Sequence, residues 1–314
     1  MKLKLEKILD FLVILTVLAV LNLVLVNPAW AASGYPSRTG EVAWYHFDEN
    51  GVDPQEGDGF DFYDETNNNN DGKLGSTGET ADNYDPTWTS SMQGLSYALK
   101  YEDDPFYAIY SHVPDDMLGG SLDITAKITV EAWIKADSIS STGANCIAIK
   151  ETYDQFGGPW FLEIYQRKVR FCINTSEATE EHCATGSTSL QADGWYHVAG
   201  TYISMTFPTG KIKVYLNGQE DGTADYSNPI NTNDDPVTIG TRDGANKQFE
   251  GIIDEFRILN RDLTADEIFG DYYQGYKGTV PEFTEITWIL ALVLSGGIFF
   301  LIKRRKEKAL NYNK

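Results

Sequence analysis

Residues 32–280 contain no long apolar run, no long stretch of helical hydrophobic period and little positive charge. The first absence leaves this span to fold in water, because the chain's two apolar runs, 12–26 and 286–302, stand at its ends. The second argues against a helical bundle. The third sets 16 basic against 41 acidic residues, a formal charge of −25, which repels nucleic acid and anionic lipid. Catalytic signatures are missing as well: there is no His-Glu-x-x-His motif for a zinc hydrolase and no Gly-x-Ser-x-Gly elbow for a serine nucleophile. Cysteine is limited to Cys146, Cys172 and Cys183, an odd number that leaves one over.

The ends carry what the middle lacks. Lys2, Lys4 and Lys7 precede the first apolar run, and Ala29 and Ala31 put small residues at the −3 and −1 positions of a cut after Ala31. Residues 1–31 therefore read as a signal peptide for signal peptidase, with an uncleaved anchor as the alternative. At the other end, 275–285 form a linker, 286–302 supply 17 apolar residues, and 303–314 are basic. That length just crosses a bilayer core, and the basic cluster holds the C-terminus inside, so the bulk of the chain is expected outside the membrane.

Within 32–274, short runs rich in Val, Ile, Tyr, Phe and Trp alternate with Gly, Asn, Asp and Pro clusters, the pattern of an all-β antiparallel sandwich. Strands are expected at 41–47, 96–100, 108–112, 128–135, 146–150, 160–165, 168–174, 195–202, 211–216, 237–241 and 251–259. In 128–134, Ile128, Val130, Ala132 and Ile134 share one face and Trp133 the other, so both faces are expected to be partly covered. Asn217-Gly218 marks a tight hairpin turn. Thr264 and Glu267 have capping-box spacing and start a short surface helix. Cys172 and Cys183 are placed opposite each other across a hairpin and are expected to form a disulfide, leaving Cys146 buried and free. Asn174-Thr175-Ser176 is a glycosylation sequon in an expected loop.

Several segments together resemble the laminin G-like, concanavalin A-like jelly roll of bacterial and archaeal surface proteins. They are Trp44-Tyr45-His46-Phe47-Asp48-Glu49, Asn70-Asp71-Gly72-Lys73-Leu74, Val130-Glu131-Ala132-Trp133-Ile134, Gly194-Trp195-Tyr196-His197-Val198-Ala199, Val214-Tyr215-Leu216-Asn217-Gly218, Val237-Thr238-Ile239-Gly240 and 249–258. Pro281-Glu282-Phe283, standing just before an apolar helix and an Arg/Lys cluster, resembles the PEF-CTERM sorting tail of archaeal surface proteins. That second resemblance implies an archaeosortase that removes the helix and exchanges the anchor. The jelly-roll resemblance implies structural calcium, with Asp48, Asp64, Asp71 and Asp254 as ligands, because first and last strands lie close in such a fold. Neutralisation of Asp254 by Arg257 or Arg242, or ordinary solvated acids, remain the alternatives.

Tyr153, Phe156 and Trp160 surround Gly157-Gly158-Pro159 and Tyr165 follows on the next strand; these four are the candidate aromatic rim of a ligand groove, with packing into the sandwich or over its edge as the alternative. Trp44, Trp133, Trp195 and His197 are assigned to the core. Jelly-roll glycosidases of the retaining type set two carboxylates about 5 Å apart on one strand face. Here Glu131 stands alone, and Asp254 and Glu255, being adjacent, are expected on opposite faces. The expectation is a non-catalytic, surface-anchored module that binds a glycan or a surface protein. A calcium-stabilised structural envelope component is the alternative, and a glycan-cleaving enzyme a third reading.

Overall fold

The computed structural model describes residues 38–279 apart from 50–58, 77–81, 93–95, 103, 105, 116–119, 152–157, 175–180, 206–209 and 243–246. The signal, the Pro281-Glu282-Phe283 motif, the 286–302 run and the basic tail lie outside the described residues. Among the described residues no helix is long and apolar enough to cross a membrane.

Two antiparallel sheets face each other. The first has eight strands: β13 (Gln219–Asp225), β12 (Lys211–Leu216), β11 (Trp195–Ile203), β6 (Lys127–Ala136), β15 (Gly251–Leu259), β4 (Tyr97–Tyr101) and β3 (Thr87–Ser90) in that order, with β1 (Glu41–Tyr45) also paired to β15. The second has seven: β10 (His182–Thr185), β9 (Lys168–Ile173), β8 (Trp160–Tyr165), β7 (Ala144–Lys150), β14 (Val237–Ile239), β5 (Ser111–Val113) and β2 (Lys73–Leu74). The sandwich is all-β and consistent with a jelly roll, as the sequence pattern implied.

Alternation fixes which side chains fill the space between the sheets. Ile128, Val130, Ala132 and Ile134 of β6 point inward with Val198 and Tyr202 of β11, and meet Trp160, Leu162 and Ile164 of β8 and Phe171 of β9. Gly200 lets the sheets come this close, since a Cβ there would lie 2.2 Å from the Phe171 ring. The expected turn joins β12 to β13, with φ of 49° at Asn217 and 75° at Gly218. Cys172 and Cys183 are direct partners across β9 and β10 and are bonded, while Cys146 is free and buried.

One helix, α1 (Ala265–Thr279), follows the last strand. The capping box forms: Thr264 N donates to Glu267 Oε2 at 2.9 Å and Glu267 N donates back to Thr264 Oγ1 at 3.3 Å. Such a cap satisfies amide donors that a helix start otherwise leaves unpaired. Residues 275–279, read from sequence as linker, are helical, because Gly275 and Gly278 weaken a helix without ending it and no proline intervenes before Pro281.

Candidate functional site

The outer face of the first sheet is covered. Ile268 of α1 packs with Ala199, Tyr215, Leu259 and Leu263, and the Tyr272 ring stacks on Trp133 at 5.7 Å. Buried charges lie beneath: Arg257 reaches Glu41 at 2.8 Å and Glu131 at 3.3 Å, Arg38 reaches Asp271 at 2.7 Å, and His197 stands 3.5 Å from Glu131. Trp133 and His197 are thus buried as expected, but under the helix and not between the sheets. Trp195 is only partly buried. This face is occupied by the chain itself.

At the middle of β15 a bulge interrupts the ladder between Asp254 and Arg257, with Glu255 at a φ of 50°. Ile253 and Phe256 both point into the core. The extra residue therefore puts Asp254 and Glu255 between two inward positions, correcting the expectation that simple alternation would send them to opposite faces. Glu255 accepts from Trp44 Nε1 at 3.1 Å and lies 2.8 Å from His46 Nδ1. Burial, then the charges of Glu255 and Asp48, push the Asp254 carboxyl well above the usual carboxylate range. A cation there would relieve that cost. Asp64 and Asp71 belong to a different structure, a turn beside β1. Asp64 accepts from the amides of Trp44 and Asn70 at 3.0 Å and Thr66 at 2.9 Å, and Asp71 accepts from Asp64 N at 2.9 Å. The four aspartates do not gather into one carboxylate set. Among the described residues, the only three His, Cys, Asp or Glu ligand atoms within 4.8 Å of one another belong to Cys172, Glu181 and Cys183, and two of these are consumed by the disulfide.

The outer face of the second sheet is different in kind. Cross-strand register aligns Ile149, Phe161, Cys172 and Cys183 in one row, with Cys146, Glu163 and Arg170 in the next. Arg242, just after β14, lays its guanidinium 3.9 Å above the Phe161 ring, and Arg170 lies 3.8 Å above Tyr165. Each such stack holds a cation against an apolar surface. Glu163 accepts from Arg170 Nε at 2.6 Å, and Arg242 pairs with Glu181. Glu151, Glu163 and Arg242 are only 2%, 0% and 3% exposed, and among the described residues Glu151 Oε2, Glu163 Oε2 and Arg242 Nε and Nη1 have no hydrogen-bond partner, although Glu163 Oε2 and Arg242 Nη1 face each other as an ion pair at 3.9 Å. Burial raises the Glu163 carboxyl above its ordinary value and pushes Glu151 to about 7.

The candidate aromatic rim is partly on this face. Tyr165 is, beside Arg170; Tyr153 and Phe156 lie outside the described residues. Trp160 is not. It is the inward member of the Trp160/Phe161 pair and 1% exposed, so it belongs to the core and is withdrawn from the rim. Phe161, which was not singled out, takes its place. The sequon Asn174 also departs from expectation: its side chain is 8% exposed and its Nδ2, the atom a glycan would be attached to, donates to the Gly158 carbonyl at 2.7 Å. The folded domain therefore does not present Asn174 for glycosylation. Glu151, Glu163, Arg170 and Arg242 were missed as a group. The one visible signal was a lone charge inside the apolar strand Trp-Phe-Leu-Glu-Ile-Tyr, facing Arg170 across a two-residue turn.

The profile of the concanavalin A-like lectin/glucanases superfamily matches residues 108–269, more than half of the chain. The chain belongs to this superfamily. Solved structures carry the same fold at low identity. Domain 4 of AbnA, a GH43 extracellular arabinanase from Geobacillus stearothermophilus solved with arabinotriose, superposes with a TM-score of 0.51 and 17% identity over 73% of this chain and 97% of that one. The binding domain of Paraclostridial Mosquitocidal Protein 1 gives a TM-score of 0.54 at 13% identity over 74% and 52% of the two chains. That of Botulinum neurotoxin DC, in complex with SialylT, gives 0.55 at 12% over 76% and 52%. The chain spans about half the length of these toxin binding domains. No curated protein matches it by sequence.

Proposed function

We propose that the chain is a non-catalytic ligand-binding module at the cell envelope, with the outer face of its second sheet as the binding surface and a glycan or surface protein as the ligand. The observation that carries this is the buried polar group on that face, whose hydrogen-bonding capacity is not all spent among the described residues, set in a superfamily that includes lectins. Buried polar atoms ordinarily find partners, and a bound polar ligand would supply them here. Solved neighbours described by their ligands, arabinotriose for one and SialylT for another, support the same reading. Reading 1–31 as a signal and 286–302 as an anchor puts this face outside the cell, and the acidic middle keeps it off anionic lipid.

The test is a glycan array together with envelope protein fractions, probed with the full-length chain in detergent. Saturable binding to a defined sugar or protein supports the reading, and release of reducing sugar from a bound glycan would replace it with an enzymatic one. Calcium, if bound, fits Asp48 and Asp254 at the bulge and not the Asp64 and Asp71 turn. A calcium-dependent rise in the thermal midpoint that is lost in Asp254→Asn would support this, and an unchanged midpoint would remove calcium from the account.

A further inference from the structure

At one end of the second sheet three neighbouring strands finish together. β14 lies between β7 and β5, and its first residue, Val237, pairs with Lys150 on one side and Val113 on the other. The end of β7, the chain after β5 and the segment leading into β14 therefore converge. There Lys150 Nζ faces Asp115 Oδ2 at 2.7 Å and donates to Asn233 Oδ1 at 3.3 Å and to the Asn233 carbonyl at 3.0 Å. The Asn233 carboxamide is held at its other end, since Nδ2 donates to Asp235 Oδ2 at 2.6 Å. Its segment is pinned as well: Ile230 N donates to the Thr125 carbonyl at 2.8 Å and Asn231 N to that of Asn174 at 3.1 Å.

An amine, a carboxamide and two carboxylates thus share one place. Lys150 and Asp115 are 1% and 7% exposed, so bulk water competes little for the amine or its proton. Asp115 touches the nitrogen that can attack, and Asp235 the nitrogen that can leave. Because Nζ is 3.3 Å from Oδ1 and a C=O bond is about 1.2 Å long, Asn233 Cγ lies within about 4.5 Å of the amine. A small rotation of the lysine side chain closes this to the roughly 3–3.5 Å of a near-attack geometry, and groups held so react as though highly concentrated. An ion pair needs only Lys150 and Asp115; the oriented carboxamide and its own carboxylate are surplus to it.

We infer that Lys150 and Asn233 condense into an intramolecular isopeptide bond, and that the ion pair of Lys150 with Asp115 is the state that precedes it. The ammonium gives one proton to Asp115, and the freed lone pair on Nζ bonds to Asn233 Cγ. A second proton leaves Nζ for Nδ2 as the Cγ–Nδ2 bond breaks, with Asp235 holding the departing nitrogen. Ammonia departs, takes the proton kept by Asp115 and leaves as ammonium. Nothing is oxidised or reduced, and no co-reactant is needed. The product ties residues 83 positions apart by a bond that reductant does not open.

The test is a peptide map of the full-length chain, synthesised cell-free into detergent micelles, then denatured, reduced and digested with trypsin. The expected product joins 136–167 to 214–242, uncut after Lys150 and one ammonia lighter than the two peptides together. Lys150→Arg keeps the cation and removes the amine, Asn233→Ala removes the acyl carbon, and neither should give the joined peptide. Asp115→Asn leaves both reacting groups in place and should slow its appearance about 100-fold or more, the loss of a general base. Asp235→Asn serves if circular dichroism shows that Asp115→Asn does not fold. Separate peptides at their sequence masses overturn the inference. So does an ammonia lost from 214–242 alone, the mark of a succinimide at Asn217-Gly218, or a product that joins 136–167 to 101–127 with loss of water, whose acyl partner is Asp115. Unaltered kinetics in Asp115→Asn overturn the route through that carboxylate.

Discussion

Lys150 offers the sharpest test of how the second sheet is held to the loops beside it. Its ammonium is 1% exposed and faces Asp115 Oδ2 at 2.7 Å, the Asn233 carbonyl at 3.0 Å and Asn233 Oδ1 at 3.3 Å, and it also donates to the Asp235 carbonyl. A cation in an all-oxygen cage thus ties the end of β7 to the segments after β5 and before β14. Lys150→Met keeps the length and most of the volume of the side chain but removes the charge, leaving the 7%-exposed Asp115 carboxylate without its counter-ion. Breaking a buried ion pair from one side costs about 3–5 kcal/mol, and in a domain of this size each 1 kcal/mol lowers the thermal midpoint by roughly 2–4 °C. The expected fall is therefore roughly 6–20 °C, read by circular dichroism, with a matching loss in urea unfolding at unchanged slope. Lys150→Met with Asp115→Asn should recover much of it, since the uncompensated charge is then gone. A single variant that loses less than about 1 kcal/mol would refute the reasoning, because a pair hydrated in the folded state contributes no more than that.

Replacing Cys172 and Cys183 together by Ser opens a crosslink spanning a separation of 11 residues and should cost roughly 3 kcal/mol by chain entropy, measured by urea unfolding and matched by adding reductant to the unaltered chain. Gly200→Ala drives a methyl into the Phe171 ring and should cost about 1–3 kcal/mol in the same assay. Glu151 is raised from its ordinary 4.5 to about 7 by burial, so its contribution to stability is full below about pH 4.5 and is lost as pH rises through 7. Glu151→Gln should accordingly flatten the decline of the thermal midpoint across that window, and an unchanged slope would show that another group sets it.

Strands β8, β12 and β15 were legible to the residue, because strict alternation or a flanking turn marks each end. Polar β13 was legible only through its Asn217-Gly218 turn, since Gln-Glu-Asp-Gly-Thr-Ala-Asp has no apolar face and lies at the sheet edge. The short strands β2 and β3 were not visible, because pairing with a neighbour defines them more than their own composition does. Asp254 and Glu255 show the limit of parity arguments: a single inserted residue reversed the inference, and nothing local in the sequence announces it. The Glu163, Arg242 and Glu151 group was hidden for another reason. Its members are up to 91 positions apart and meet only through register across β7, β8 and the end of β14. Trp160 was misplaced by one position of alternation, and Phe161 beside it proved to face outward.

The last strand is also the middle one. β15 lies between β6 on one side and β4 and β1 on the other, so Glu41 finds its partner only at Leu259. A chain emerging N-terminus first has already produced fourteen strands before the one that joins the two halves of its first sheet arrives. Contacts between such distant residues slow folding, because the loop they close must be ordered before it is rewarded. The first sheet therefore closes late, and a truncation before residue 251 cuts β1 and the β3–β4 pair off from the rest of that sheet, with open edges poised to pair with another copy.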